Sequence, residues 1–364
     1  MAKARSTVFE YLEWRGDISF SDLSPCEVDS LIFSLISYID FDGIVPSPEE
    51  EDSIGFYQAA RQFVRRYKGE GAQSIGLVIP KQTVTVLARA AKTKRYSECR
   101  LFDYVNHICD GEQKQFSALS FLFKDREGEA VFVAFRGTDD TIVGWKENFN
   151  MSFMQPVPSQ LEAAEYLRRV ADRTKGNIYV GGHSKGGNLA VFSAVRCPKE
   201  IKERIAAVYN LDGPGFDTDF ISGEDYAEIR ERIRTIVPQS SIVGMLLEHE
   251  ENYEVINSDK NGLLQHNGFN WEVKGGSFIH LDSITDESRY IDETLKSWLA
   301  EMSPEERRAA VDSIYEALTS GDAKTLSDLN SDKKKLMKAW GEMSEESRAF
   351  VRRCVNLILK NSKG

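Results

Sequence analysis

The feature that most narrows the fold lies at the middle of the chain. Asn177-Ile-Tyr-Val180 is a short apolar run that passes directly into Gly181-Gly-His-Ser-Lys-Gly-Gly187, and Asn188 to Val195 then reads as a helix. A buried strand that turns through glycines straight into a helix is the unit from which α/β sheets are built. Further apolar strands are predicted at Ala206 to Leu211 and Ile233 to Val237, each after helical or loop material. Upstream, Ser117 to Phe123, a charged turn through Asp125 to Gly128, and Ala130 to Phe135 read as a hairpin whose second strand is apolar on both faces. The pattern predicts a mostly parallel sheet flanked by helices on both faces.

Around that centre the chain divides into three. Residues 1–70 read as an N-terminal helical extension packed on the core. Leu31, Ile32, Leu35, Ile36 and Ile39 recur at helical spacing, and a second helix is predicted from about Ile54 to Tyr67. Residues 71–299 read as the central α/β domain. Residues 300–364 read as a C-terminal helical segment, opened by Ser303-Pro304-Glu305-Glu306, which places an N-cap serine, an N1 proline and a capping-box glutamate in order.

Charge and cysteine usage set the function classes aside. With 46 Lys and Arg against 57 Asp and Glu, the net charge of −11 repels phosphate backbones, so nucleic acid is not an expected partner. No stretch approaches the roughly 20 apolar residues that span a bilayer, and the N-terminus shows no secretory apolar run, so no stable membrane insertion and a cytoplasmic location are expected. Five scattered cysteines without a C-x-x-C pair read as reduced thiols rather than as disulfide or zinc ligands. No metal and no cofactor are implied.

Gly182-His183-Ser184-Lys185-Gly186 satisfies G-x-S-x-G between a predicted strand and a predicted helix, the setting in which that motif forms a nucleophile elbow. Side chains two before and two after the serine would collide with the neighbouring strand and helix, so glycine occupies both places. Ser184 is therefore the candidate nucleophile, raised above the sheet at the positive end of a helix.

Phe135-Arg-Gly-Thr138, Trp145 and Gly182-His-Ser-Lys-Gly-Gly187 together resemble the signature of the class 3 lipases. The text around Tyr11 to Asp17 and Tyr38 to Gly43 is more similar to a bacterial family of lipase-like α/β-hydrolases. The resemblance covers about residues 8 to 290. It implies an α/β-hydrolase fold with helical additions, no cofactor, and a lipid-like acyl ester as substrate, cleaved by serine chemistry. Carried over by position, the backbone N–H groups of Thr138 and Lys185 would form the oxyanion hole, with Arg136 bracing the loop.

In this fold the basic histidine follows the serine. His249, His266 and His280 qualify; His266, in the polar loop Leu263-Leu-Gln-His-Asn-Gly268, also matches where the lipase-like family carries its base. The acid departs from the class 3 pattern, whose aspartate position holds Ser241. Asn210-Leu-Asp-Gly-Pro-Gly-Phe216 instead resembles the acid-bearing run of pancreatic-type lipases, which implies Asp212, with Ser241 hydrogen-bonded behind it and Asp259, Asp282 and Glu248 as alternatives. Met245 and Leu246, in an apolar run after a sheet edge, are the expected substrate-binding residues, and core packing is the competing reading for that run. The same machinery could act on thioesters or amides, or the scaffold could be an interaction module that has lost its chemistry.

Overall fold

The computed structural model describes residues 5–70, 81–249, 253–319, 324–325, 328, 333–349 and 351–352. The strands are β1 (Ile54–Gly55), β2 (Arg100–Cys109), β3 (Lys114–Asp125), β4 (Gly128–Phe135), β5 (Asn177–His183), β6 (Ile205–Leu211), β7 (Ile233–Pro238), β8 (Glu254–Ile256), β9 (Val273–Lys274), β10 (Ser277–Phe278) and β11 (His280–Leu281). Nine of them form one sheet in the order β1-β2-β3-β4-β5-β6-β7-β8-β11, while β9 and β10 pair separately. From β4 to β8 every pairing is parallel; the β1–β4 edge and the β8–β11 pair are antiparallel. The result is a mixed α/β architecture whose parallel centre carries the glycine-rich turn.

Strand alternation explains the two layers. Ala130, Phe132 and Ala134 of β4 join one apolar core, and Val131, Val133 and Phe135 join the other, as a period of two requires. The helices Pro158–Arg173 and Lys185–Arg196 cover the second face. The first face is covered by the N-terminal segment. Its helix Glu27–Ile36 is buried at every position, rather than presenting one apolar side as its spacing predicts. Phe33 stacks on Phe132 at 4.7 Å and lies 4.6 Å from Phe121, centroid to centroid. The N-terminal segment is thus a layer of the core.

Strand β2 has no counterpart among the predicted strands. Asp103, at φ 54°, sits where the β2–β3 register shifts between Phe102 and Val105, and that bulge breaks the alternation by which a strand is recognised. Downstream, Phe269 falls in a 3-10 turn, Gly268–Asn270. The helix Pro304–Thr319 forms with the expected cap, Ser303 N–H donating to Glu306 at 2.7 Å and Glu306 N–H to the Ser303 hydroxyl at 3.2 Å. It packs on the helix Ile142–Asn150, where Ile142 meets Tyr315 and Leu318 and Lys146 pairs with Asp312 at 2.8 Å. Among the described residues no helix is long and apolar enough to cross a membrane. The described cysteines are free thiols, Cys99 and Cys197 being buried; Cys354 lies outside the described residues.

Candidate active site

The turn from β5 into the Lys185–Arg196 helix is as cramped as its glycines imply. A Cβ on Gly182 would stand 2.2 Å from the Gly186 carbonyl carbon, and one on Gly186 would stand 2.1 Å from the Phe135 carbonyl oxygen. Ser184, between them, is held at φ 59°, ψ −133°, a conformation that costs energy for a residue with a side chain. Its N–H is fixed to the Leu211 carbonyl at 2.9 Å, which ties the turn to the end of β6.

That same end of β6 presents Asp212, fully buried at φ 54°. Oδ1 of Asp212 accepts from the Ser241 hydroxyl and from the Gly244 N–H at 3.2 Å. Oδ2 accepts from His266 Nδ1 at 2.6 Å. His266 ends the 3-10 turn Gly262–His266, and its side chain is 25% exposed, open to solvent where the carboxylate behind it is not. Its ring lies against that of His183, 4.6 Å between centroids, which brings His266 to the residue beside Ser184.

His183 holds this arrangement from within. A carbonyl can only accept, so the 2.6 Å contact of His183 Nε2 with the His266 carbonyl assigns the proton to Nε2, and Nδ1 accepts from the Tyr38 hydroxyl at 3.3 Å. Burial, and then the nearby His266, push the His183 imidazole down to about 3, consistent with a neutral ring.

The Arg136–Thr138 segment runs alongside the elbow: a Cβ on Gly137 would lie 2.1 Å from the Tyr38 hydroxyl, 2.5 Å from the His183 oxygen and 3.2 Å from Ser184 Cβ. Arg136 bonds Asn106 at 2.8 Å and Asp139 at 2.9 Å, bracing the loop. Thr138 is buried and its hydroxyl accepts from Asn148 Nδ2. Lys185 occupies the first position of the elbow helix, where a backbone N–H has no partner within the helix. Its side chain turns inward, with Nζ 2.9 Å from Glu147 Oε2.

The structure therefore brings Ser184, His266, Asp212, Thr138 and Lys185 into one neighbourhood, and gives His249, His280, Asp259 and Glu248 other partners. His280 bonds Glu27 at 2.9 Å on the outermost strand of the sheet. His249 bonds the Gly244 carbonyl at 2.8 Å, supporting the turn that holds Asp212. Asp259 pairs with Arg5 at 2.6 Å and Glu248 with Lys296 at 3.4 Å. Met245, expected to bind substrate, is instead packed with Val237, Val255 and Ile284 in a small core; Leu246 is half-buried, its carbonyl accepting from Gly215 N–H at 2.8 Å. Glu27, Glu254 and His280 have ligand atoms within 4.8 Å of one another. Arg234, at 2.5 Å from Glu27 and 2.8 Å from Glu254, already supplies the positive charge between those carboxylates.

Residues 90–316, which include every one of these loops, match the model of the Mbeg1-like family. The chain belongs to the Mbeg1-like family. No curated protein matches it. The Mbeg1-like segment holds the elbow, Asp212 and His266, whereas Tyr38 and the helix Glu27–Ile36 lie outside it. Sequence reasoning overlooked three contributors: Tyr38, Glu147 and Asn148. A lysine at a buried helix start does signal that some acid must face it, but nothing in the residue order says that Glu147 is the one.

Proposed function

We propose that this chain is an α/β-hydrolase-type serine hydrolase that cleaves carboxylic esters of lipid-like acids through an acyl-enzyme. The observation that carries the reading is the Asp212–His266 pair, joined at 2.6 Å and seated against the residue preceding a serine held at positive φ. With Nδ1 engaged by the carboxylate, Nε2 of His266 is the nitrogen available to take a proton.

Ser184 Oγ attacks the acyl carbonyl carbon as His266 removes its proton, and the negative charge gathers on the carbonyl oxygen, facing the N–H groups of Thr138 and Lys185. His266 passes the proton to the departing alkoxide, leaving the acyl group on Ser184. Water, deprotonated by His266, then attacks that carbonyl, and collapse frees the acid while Ser184 regains its proton. Asp212 keeps the imidazole in the required tautomer and balances its charge at each transfer.

The test is covalent labelling with a fluorophosphonate, in which the serine oxygen displaces fluoride from phosphorus. Wild-type protein is expected to be labelled and Ser184→Ala not at all; an unlabelled wild type, beside a labelled control hydrolase, would return the fold to the status of a scaffold. Matched p-nitrophenyl esters from acetate to palmitate then rank acyl length, and thioester and amide counterparts separate the rival bond types.

A further inference from the structure

Resting on that reading, we infer that Glu147 is the positioning residue of the oxyanion hole, acting through the buried ammonium of Lys185. The residue after the nucleophile carries a charge, yet its side chain and that of Glu147 are both 0% exposed. Lys185 Nζ donates to the Gln115 carbonyl at 2.6 Å, to Gln115 Oε1 at 2.6 Å and to Glu147 Oε2 at 2.9 Å, which uses its three N–H bonds. Glu147 is equally occupied: Oε2 accepts from Gln115 N–H at 3.0 Å and Oε1 from Ser159 N–H at 2.9 Å. Lys185 has no N–H left over, and both carboxylate oxygens of Glu147 are already engaged by buried donors.

Burying two charges carries a desolvation penalty of several kcal/mol each, which mutual attraction repays only when the geometry is well satisfied. An apolar pair of similar volume would serve packing as well. What the ion pair adds is a directional link between two segments that must stand at a set separation. Lys185 contributes one proposed N–H donor from the elbow helix. Glu147 lies on the helix Ile142–Asn150, and the next residue, Asn148, donates to the hydroxyl of Thr138, which contributes the other. One turn of that helix grips both halves of the hole, and Glu147 sets the distance from one to the other. A shift of about 1 Å in such a donor costs on the order of 100-fold in rate.

The experiment uses the full chain with Lys185→Met/Glu147→Leu, which leaves no unpaired buried charge, and the single variants Glu147→Asp and Glu147→Gln. Each is measured by thermal unfolding, by p-nitrophenyl butyrate hydrolysis and by inhibition with butylboronic acid, whose serine adduct is tetrahedral. The double variant leaves the Gln115 and Ser159 N–H groups without their carboxylate partner, so it is expected to fold with a lowered Tm; well below that Tm, kcat falls about 10–100-fold with KM nearly unchanged and the boronate binds more weakly by a similar factor. Glu147→Asp, which keeps the charge, is expected to recover part of the kcat lost in Glu147→Gln. A folded double variant with wild-type kcat and boronate affinity overturns the inference alone. A kcat loss that only follows the unfolded fraction and is restored on cooling also overturns it. If the double variant does not fold, folded Glu147→Asp decides, wild-type kcat overturning the inference and reduced kcat at constant KM supporting it. A wild type that fluorophosphonate leaves unlabelled removes the hydrolase reading and this inference with it.

Discussion

Asp212 is an uncommon choice of residue for its own backbone. At φ 54° most side chains are strained, but aspartate and asparagine tolerate that region several-fold better than others. Asp212→Asn therefore keeps the backbone and removes only the carboxylate opposite His266 Nδ1. On the proposed mechanism kcat for an ester should fall roughly 10³- to 10⁴-fold while the protein remains folded, measured by steady-state kinetics beside a circular-dichroism melt. The carboxylate that meets His266 was hard to read because it stands one strand earlier than the class 3 pattern suggests. Ser241, at the patterned position, keeps a tie to it through the hydrogen bond to Asp212 Oδ1. The glycines at 182 and 186 were legible for the opposite reason: their constraint comes from atoms within a few residues and from one adjacent strand.

Among the elements, the helix Glu27–Ile36 decides how the sheet's first face is closed. It carries Asp29 into the core, where Arg95 meets the carboxylate at 2.6 Å, both side chains being 0% exposed. Burial alone would raise the Asp29 carboxyl; hydrogen bonds from Arg95 and Tyr96 hold it below the usual carboxylate range instead. Arg95 lies within the family-matched residues and Asp29 does not, so the pair fastens the N-terminal layer to the Mbeg1-like segment. Arg95→Met strands a buried charge and should lower unfolding stability by about 3–5 kcal/mol, read from urea denaturation. Adding Asp29→Leu should restore much of that loss, since the penalty lies in the unpaired carboxylate. The helical spacing of Leu31, Ile32 and Leu35 announced the helix. That it would be enclosed on all sides depended on the segments around Tyr96, Phe121 and Phe132, far away in the chain.

At the scale of the whole molecule, His183 is the junction. It touches Tyr38 from the N-terminal layer, belongs to the elbow, and bonds the carbonyl of His266 from the late loop. An unfolded histidine titrates near 6.5, whereas folding holds His183 at about 3. Between those values the unfolded chain binds the extra proton, so the stability contributed by the neutral ring is complete above about 6.5 and is lost progressively as pH falls. Across pH 6.5 to 5 this predicts a decline of about 1–2 kcal/mol, measured by urea unfolding at each pH, and a flatter profile in His183→Asn. The same window lies above the range where the Asp29 and Glu27 carboxyls, both held low, begin to take up protons.

The residue order alone settled the strand–elbow–helix unit, the two-faced apolar strand β4 and the capped C-terminal helix. Each follows from interactions along a few neighbouring residues: side-chain alternation, a glycine-only clearance, and a hydroxyl answering an N–H three positions on. Tertiary structure alone decided that Asp212 faces His266, that Tyr38 reaches His183, that Met245 turns into the core and that Glu147 is the partner of Lys185. Those pairings join residues from distant strands, helices and loops only after packing sets their distances, and a buried charge or a bent strand carries no mark of which distant group will meet it.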